Sequence, residues 1–133
     1  MLSQRADRAL QAVKILLVED SDDIREAFTG LLRTEGADVV AVARGTDAIT
    51  AALEGNFDVV LTDYGLPDIP GDFVIRQVLA AVHRRPHVVV ITGYGEPYTS
   101  WARLAGADLV LTKPVDWPDL LAHIRPDRYR AAA

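Results

Sequence analysis

The chain has 133 residues, a net charge of −5 and a hydrophobic content of 50%, which fits one ordinary domain with a core of normal size. The acidic balance argues against a direct nucleic-acid surface, and the absence of cysteine excludes disulfides and thiolate metal sites. No apolar run approaches the roughly 20 residues that a membrane span needs. We therefore expect a cytoplasmic protein without membrane insertion.

Five short apolar runs, rich in β-branched residues, predict five strands. The runs are nearly continuous rather than alternating, which is typical of strands buried on both faces of a parallel sheet. The predicted strands are Lys14–Val18, Asp38–Val42, Asp58–Thr62, His87–Thr92 and Asp108–Thr112.

Between these runs, apolar residues recur at helical spacing. Ser21 is predicted to cap the first helix, and Gly36 to end it. Thr46 is predicted to cap the second helix, which turns Leu53 inward and ends at Gly55. Three further helices are predicted after Pro70–Gly71, near Pro97, and from Asp116 to Arg125.

The order of strand and helix, repeated five times, predicts an open parallel sheet with helices on both faces, because crossovers are right-handed. No internal repeat or low-complexity linker interrupts it. We expect one α/β domain at residues 13–125, an N-terminal extension at 1–12 and a C-terminal tail at 126–133. The extension is expected to form either an extra helical turn or a frayed tail.

Polar side chains follow four of the predicted strands, and the carboxyl ends of parallel strands meet at one edge of the sheet, where sites form. The first strand is followed by Glu19 and Asp20, and the third by Asp63. Thr92 ends the fourth strand, and Lys113 follows the fifth. Three carboxylates, one hydroxyl and one ammonium are therefore expected to cluster.

This cluster has a coherent chemistry. Asp20 and Asp63 are predicted to bind Mg²⁺ (or Mn²⁺) directly, and Glu19 through water, because a hard divalent cation relieves the repulsion between carboxylates. Asp63 is predicted to attack phosphorus and form an aspartyl phosphate. Lys113 would then neutralise the transferred group, and Thr92 would bind one of its oxygens.

Four segments together resemble the receiver domain of two-component response regulators and hybrid histidine kinases. They are LLVEDSDD (16–23), VVLTDYGLPDIPG (59–71), VVVITGYG (88–95) and GADLVLTKPV (106–115). The resemblance implies a flavodoxin-like, doubly wound sheet of five strands in the order 2-1-3-4-5, flanked by five helices. It also implies transfer to Asp63 from a histidine kinase or histidine phosphotransfer protein, a metal ligand from the Gly65 carbonyl, and a conformational signal to an unknown downstream effector.

One position departs from the family. The aromatic residue that usually lies three positions before the lysine, and reorients on phosphorylation, is replaced by Val110. We hypothesise that Tyr94, between two glycines, repacks instead as Thr92 shifts. The alternative hypothesis is that Tyr94 covers the rim of the site and hinders the water that hydrolyses the acyl phosphate.

Two other functions compete with a receiver that catalyses only its own phosphorylation and dephosphorylation. A phosphatase of the haloacid dehalogenase type also uses an aspartate nucleophile with Mg²⁺. Such enzymes typically need a second aspartate two residues later, where this chain has Gly65, and cap elements for which it has no room. A degenerate receiver that acts only as an interaction module is favoured by Val110 alone.

Overall fold

The computed structural model describes residues 8–130. Its strands are β1 (Lys14–Val18), β2 (Asp38–Val42), β3 (Val59–Asp63), β4 (His87–Thr92) and β5 (Leu109–Thr112). They form one parallel sheet in the order β2-β1-β3-β4-β5, which confirms the predicted topology.

Two strands begin one residue later than predicted, and an aspartate precedes each of them. The Asp58 carboxylate accepts a hydrogen bond from the backbone N–H of Lys14 at 2.8 Å, and the Asp108 carboxylate accepts one from Val88 at 2.7 Å. Each side chain thus binds the first residues of the neighbouring strand. These aspartates act as caps of the sheet rather than as strand residues.

The helices are α1 (Asp22–Thr34), α2 (Gly45–Glu54), α3 (Gly71–Ala81), α4 (Tyr98–Ala105) and α5 (Trp117–Ile124), and a short 3₁₀ helix follows at Pro126–Arg128. Ser21 caps α1 as predicted, because its hydroxyl accepts a hydrogen bond from the N–H of Ile24. Gly36 follows the end of α1 with a φ of 95°, a conformation that glycine adopts without strain.

The predicted start of α2 was wrong. The helix begins at Gly45, so Thr46 lies inside it, and the cap comes from a distant loop. The Asp68 carboxylate accepts hydrogen bonds from the N–H groups of Gly45 at 2.9 Å and Thr46 at 3.0 Å. A local sequence pattern cannot predict a helix cap that comes from a residue more than twenty positions away.

Leu53 was also misplaced, since 65% of it is exposed. The buried side of α2 is defined by Ala48 and Ala52. At 3.6 residues per turn, Leu53 lies about 140° around the helix from Ala48. It therefore points away from the sheet.

The core has two layers, one on each face of the sheet. Buried residues of α2, α3 and α4 pack on one face together with Leu16 and Val18 of β1. Buried residues of α1 and α5 pack on the other face with Ile15 and Leu17. Successive residues of β1 thus enter opposite layers, as expected for a strand that is covered on both faces.

Residues just outside the predicted boundaries also contact the packed body. Residues 9–12 form a turn, and Leu10 is fully buried. At the other end, Tyr129 stacks on His87 with 4.6 Å between ring centroids, and Arg130 pairs with Asp58 at 3.1 Å. The boundaries at 13 and 125 stay predictions, and the first seven residues lie outside the described part. No helix among residues 8–130 is long and apolar enough to cross a membrane.

Candidate functional site

The parallel register brings the predicted site residues to one edge of the sheet. Val18 lies opposite Thr62, so Glu19 and Asp20 leave β1 beside the end of β3 at Asp63. One carboxylate oxygen from each of the three acids lies within 4.8 Å of the others. The acidic cluster that the strand ends predict is therefore formed.

Lys113 completes this cluster. Its ammonium lies 3.1 Å from Oδ2 of Asp63, whose side chain is buried, while its own backbone N–H donates to the Thr92 carbonyl at 2.8 Å. Burial alone would lower the pKa of Lys113. The hydrogen bond to Asp63 and the charges of Asp63, Glu19 and Asp20 together raise that pKa above its ordinary value. Lys113 thus provides a permanent positive charge beside Asp63.

The second oxygen of Asp63 is held by the loop after β3. Oδ1 accepts a hydrogen bond from the N–H of Gly65 at 3.2 Å. A little further on, the N–H of Gly71 donates to the Tyr64 carbonyl at 2.9 Å. These two bonds orient the carboxylate and close the loop behind it. The predicted metal-ligand role of the Gly65 carbonyl stays a prediction.

Glu19 and Asp20 differ in their surroundings. Asp20 is exposed, whereas Glu19 is buried and accepts a hydrogen bond from the N–H of Ser21 at 3.1 Å. Burial raises the pKa of Glu19, the Ser21 bond lowers it, and the neighbouring Asp20 and Asp63 raise it further. The carboxylates repel one another, and a cation bound between them would relieve that repulsion.

Thr92 and Tyr94 are directly connected. The Thr92 side chain is fully buried, and its Oγ1 accepts a hydrogen bond from the N–H of Tyr94 at 2.9 Å. The Tyr94 ring lies against Gly65, where a Cβ atom would stand 3.3 Å from Cε2 of the ring. Val110 is partly buried against the layer that contains α3 and α4. A shift of the Thr92 side chain would therefore act directly on the backbone of Tyr94 through this hydrogen bond.

Sequence reasoning missed three residues that shape this edge. Arg25 donates from Nη1 to the Glu19 carbonyl at 2.9 Å and so ties α1 to the end of β1. Tyr64 is buried, and its hydroxyl donates a hydrogen bond to Asp72 at 3.2 Å. Asp68, already described as the cap of α2, holds the same loop. Only Tyr64 had a local signal, as an aromatic residue directly after a strand-end aspartate.

The fold and this edge define a phosphorelay receiver, and comparison with known proteins gives the family. The sequence profile of the response regulator receiver domain matches residues 15–125. The chain therefore belongs to the response regulator receiver domain family. It is a signalling domain, and the haloacid dehalogenase alternative finds no support.

Three similar proteins illustrate the family. The transcriptional regulatory protein DltR of Streptococcus agalactiae is 35% identical over 114 residues, which are 85% of this chain and 50% of that protein. Protein PilH of Pseudomonas aeruginosa is 34% identical over 113 residues, 84% of this chain and 93% of that protein. The solved receiver domain of the sensor histidine kinase PA1611 from Pseudomonas aeruginosa has a TM-score of 0.78 at 28% identity and covers 85% of this chain and 94% of that one.

Two facts from these comparisons bear on the site. The PA1611 receiver domain has a magnesium ion coordinated in its active site cleft. The chain spans about half the length of the first curated relatives it matches. The comparisons thus define this chain as a receiver domain.

Proposed function

We propose that Asp63 is the residue that accepts the phosphoryl group. The observation that carries this proposal is the 3.1 Å pair between Lys113 Nζ and Asp63 Oδ2 beside two further carboxylates. An Asp63 oxygen forms a bond to phosphorus while the phosphorus–nitrogen bond of a phosphohistidine breaks. The electron pair returns to the imidazole of the donor, and Asp63 becomes an acyl phosphate.

The acidic cluster fits a divalent cation. Glu19, Asp20 and Asp63 offer the hard oxygen ligands that Mg²⁺ or Mn²⁺ prefers, and the Gly65 carbonyl is proposed as a further ligand. Burial is the main cause of the raised pKa of Glu19, and the neighbouring Asp20 and Asp63 raise it further. A bound cation would relieve the repulsion among these three carboxylates. When bound, the ion supplies positive charge for the phosphoryl oxygens.

Lys113 and Thr92 serve the transferred group from the protein side. The Lys113 ammonium neutralises the charge that develops on the phosphoryl oxygens. The Thr92 hydroxyl donates a hydrogen bond to one of these oxygens, because phosphoryl oxygens are acceptors, while its own oxygen still accepts from the N–H of Tyr94. The same bond connects the phosphoryl group to the loop after β4. Both roles of Tyr94, as a switch and as a shield of the acyl phosphate, stay open.

The proposed phosphoryl donor is a histidine kinase or a histidine phosphotransfer protein, which would dock beside the site. An apolar cavity of about 240 Å³ lies between α1 and the loop after β5, and Glu19 and Lys113 lie at its edge. Its apolar lining residues are Ile24, Phe28, Ile91, Pro114 and Val115. The composition supports a cytoplasmic location for this exchange.

The phosphoacceptor proposal is tested with Asp63→Asn, which keeps the shape of the side chain but removes the nucleophile. Acetyl phosphate with Mg²⁺ should add one phosphoryl group to the unaltered protein and none to the variant, as measured by intact mass. Asp23→Asn, on the exposed first turn of α1, is the matched control and should label normally. Undiminished labelling of Asp63→Asn would place the acceptor elsewhere. Absence of labelling in the unaltered protein would favour the degenerate receiver.

The docking surface is tested with Ile24→Ala, because Ile24 is exposed and lines the apolar cavity between α1 and the loop after β5. Transfer from the partner kinase should slow, while labelling by acetyl phosphate stays the same. Leu53→Ala, on the exposed side of α2, removes a similar apolar surface away from the site and should change neither reaction. Equal losses in both reactions of Ile24→Ala would locate the effect in the site itself.

A further inference from the structure

A second surface lies beside the phosphoacceptor edge, between the loop after β3 and the start of α4. It is a groove of about 500 Å³, which we call the aromatic groove. Four aromatic side chains line it: Tyr64, Tyr94, Tyr98 and Trp101. The proposed chemistry of Asp63 uses none of these rings except Tyr94.

The four rings form one continuous cluster. Tyr98 is central, with centroid distances of 5.7 Å to Tyr64, 5.0 Å to Tyr94 and 5.3 Å to Trp101. The contacts with Tyr64 and Trp101 are edge-to-face. Tyr94 is 51% exposed, Trp101 45% and Tyr98 38%, so part of each of these side chains is accessible to a ligand. Clustered exposed aromatic rings of this kind mark interaction surfaces.

The groove is also negatively charged. Asp68 and Asp72 line it, and none of its lining residues is Lys, Arg or His. The N–H groups of α2 hold the pKa of Asp68 at about 2, so this carboxylate is ionised. Burial, with the neighbouring Asp72, raises the pKa of Tyr64 to about 12, so its hydroxyl stays protonated and donates to Asp72. Asp68 therefore keeps its negative charge near neutral pH, and the Tyr64 hydroxyl remains a hydrogen-bond donor.

Aromatic faces next to carboxylates are suited to a cation, because the face of a ring carries negative electrostatic potential. Guanidinium groups stack on such faces and also bind carboxylates. The net charge of −5 disfavours a second copy of this chain as the occupant. We propose that the aromatic groove binds a basic segment of a partner protein, which places an arginine side chain against Tyr98 and Trp101.

The groove is connected to the phosphoacceptor edge through Gly65, whose N–H donates to Asp63, and through Tyr94. Tyr94 forms part of its wall, donates its N–H to Thr92, and covers Gly65 with its ring. A movement of Thr92 toward a phosphoryl group on Asp63 would shift this wall. Binding of the basic segment therefore depends on phosphorylation, and this second part rests on the proposed function of Asp63.

The binding itself is tested without phosphorylation. The probes are a short acetylated and amidated peptide in which arginines alternate with leucines, and the same peptide with citrulline in place of arginine. Trp117→Phe leaves Trp101 as the only tryptophan, so its fluorescence reports on the groove. The arginine peptide should bind about tenfold more tightly than the citrulline peptide. Equal affinities, or no response to millimolar arginine peptide, would overturn the proposal.

Two variants locate the binding in the groove, with peptide-induced amide shifts in NMR spectra as the measurement. Trp101→Ala removes a ring face, and Asp72→Asn removes a charge while it still accepts the hydrogen bond from Tyr64. Each variant should bind the arginine peptide severalfold more weakly than the unaltered protein does. The affinity for the citrulline peptide should stay nearly the same. Leu104→Ala, also exposed on α4 but not part of the groove, should change neither. Unchanged binding of both groove variants would contradict the location.

The coupling is tested with beryllofluoride and Mg²⁺, which mimic the phosphoryl group on Asp63. The affinity for the arginine peptide should change by a measurable factor, and Tyr94→Ala should remove that change. Occupancy of Asp63 is followed on the same samples by fluorine NMR. Full occupancy with unchanged affinity overturns the coupling. If beryllofluoride does not occupy Asp63, the proposed function of Asp63 and the coupling are both contradicted. The peptide binding measured without phosphorylation is independent of this outcome.

Discussion

Gly71 is the position where a single methyl group should disturb the site most directly. A Cβ atom at residue 71 would lie 2.7 Å from Cα of Tyr64, 2.9 Å from its carbonyl oxygen and 3.0 Å from the carbonyl oxygen of Asp63. All three contacts are with backbone atoms, which cannot rotate away as a side chain does. Gly71→Ala must therefore push α3 away from the end of β3.

Gly71→Ala should lower the free energy of unfolding by about 1–3 kcal/mol, the usual effect of extra volume in a packed interior. Gly30→Ala is the matched control. Gly30 lies within α1, and a Cβ atom there meets nothing within 4 Å. Alanine is a better helix former than glycine, so this variant should gain about 0.5–1 kcal/mol. The same chemical change thus has opposite signs at the two positions.

Urea unfolding followed by circular dichroism measures both effects, and an unchanged slope with denaturant would show that only stability has changed. Because the displaced backbone carries Asp63, labelling of Gly71→Ala by acetyl phosphate should also slow, whereas Gly30→Ala should label normally. A stability of Gly71→Ala equal to that of the unaltered protein would refute the steric argument. A loss of stability with full labelling would refute its extension to the site.

Three further predictions concern charged groups. Mg²⁺ should raise the melting temperature, and Asp20→Ala should abolish this increase in thermal melts because it removes a proposed ligand. Asp58→Ala should lower stability by about 1–3 kcal/mol, since it leaves the N–H of Lys14 without its partner. Arg130→Ala should lower stability by less than about 1 kcal/mol, because the arginine side of the Arg130–Asp58 ion pair is exposed. The folded-state pKa of Asp68 is about 2, below the usual value, so its stabilisation is complete above about pH 4 and is lost as the pH falls through 2. Asp68→Asn should reduce the decline in stability over this acid range, and a carboxyl pKa near 4 in NMR titration would contradict the prediction.

The elements of this fold were predictable because their signals are local. Apolar runs define the strands, helical spacing defines the helices, and Ser21 and Gly36 mark the ends of α1 as expected. The gathering of Glu19, Asp20, Asp63 and Lys113 was predictable for a related reason. Parallel strands present their carboxyl ends at one edge whatever the details of packing, so strand order and direction are sufficient.

Tertiary packing decided three features: the cap of α2, the side of α2 that is buried, and the contacts of the segments before β1 and after α5. Asp68 reaches Gly45 only because the loop after β3 lies across the start of α2. Arg130 reaches Asp58 only because the chain after α5 turns back toward the start of β3. Neither pair leaves a periodic or spaced signal, since the partners are far apart in the chain.

The aromatic groove belongs to the same class. The sequence alone contains Tyr64, Tyr94, Tyr98 and Trp101, and it determined that Tyr94 follows Thr92 at the end of β4. It did not determine that Tyr64, from the loop after β3, joins the other three in one cluster. That contact depends on β3 and β4 being neighbours and on the direction in which each loop leaves the sheet. Local chemistry therefore determined which residues form the acidic edge, and the packing of loops decided which surface lies beside it.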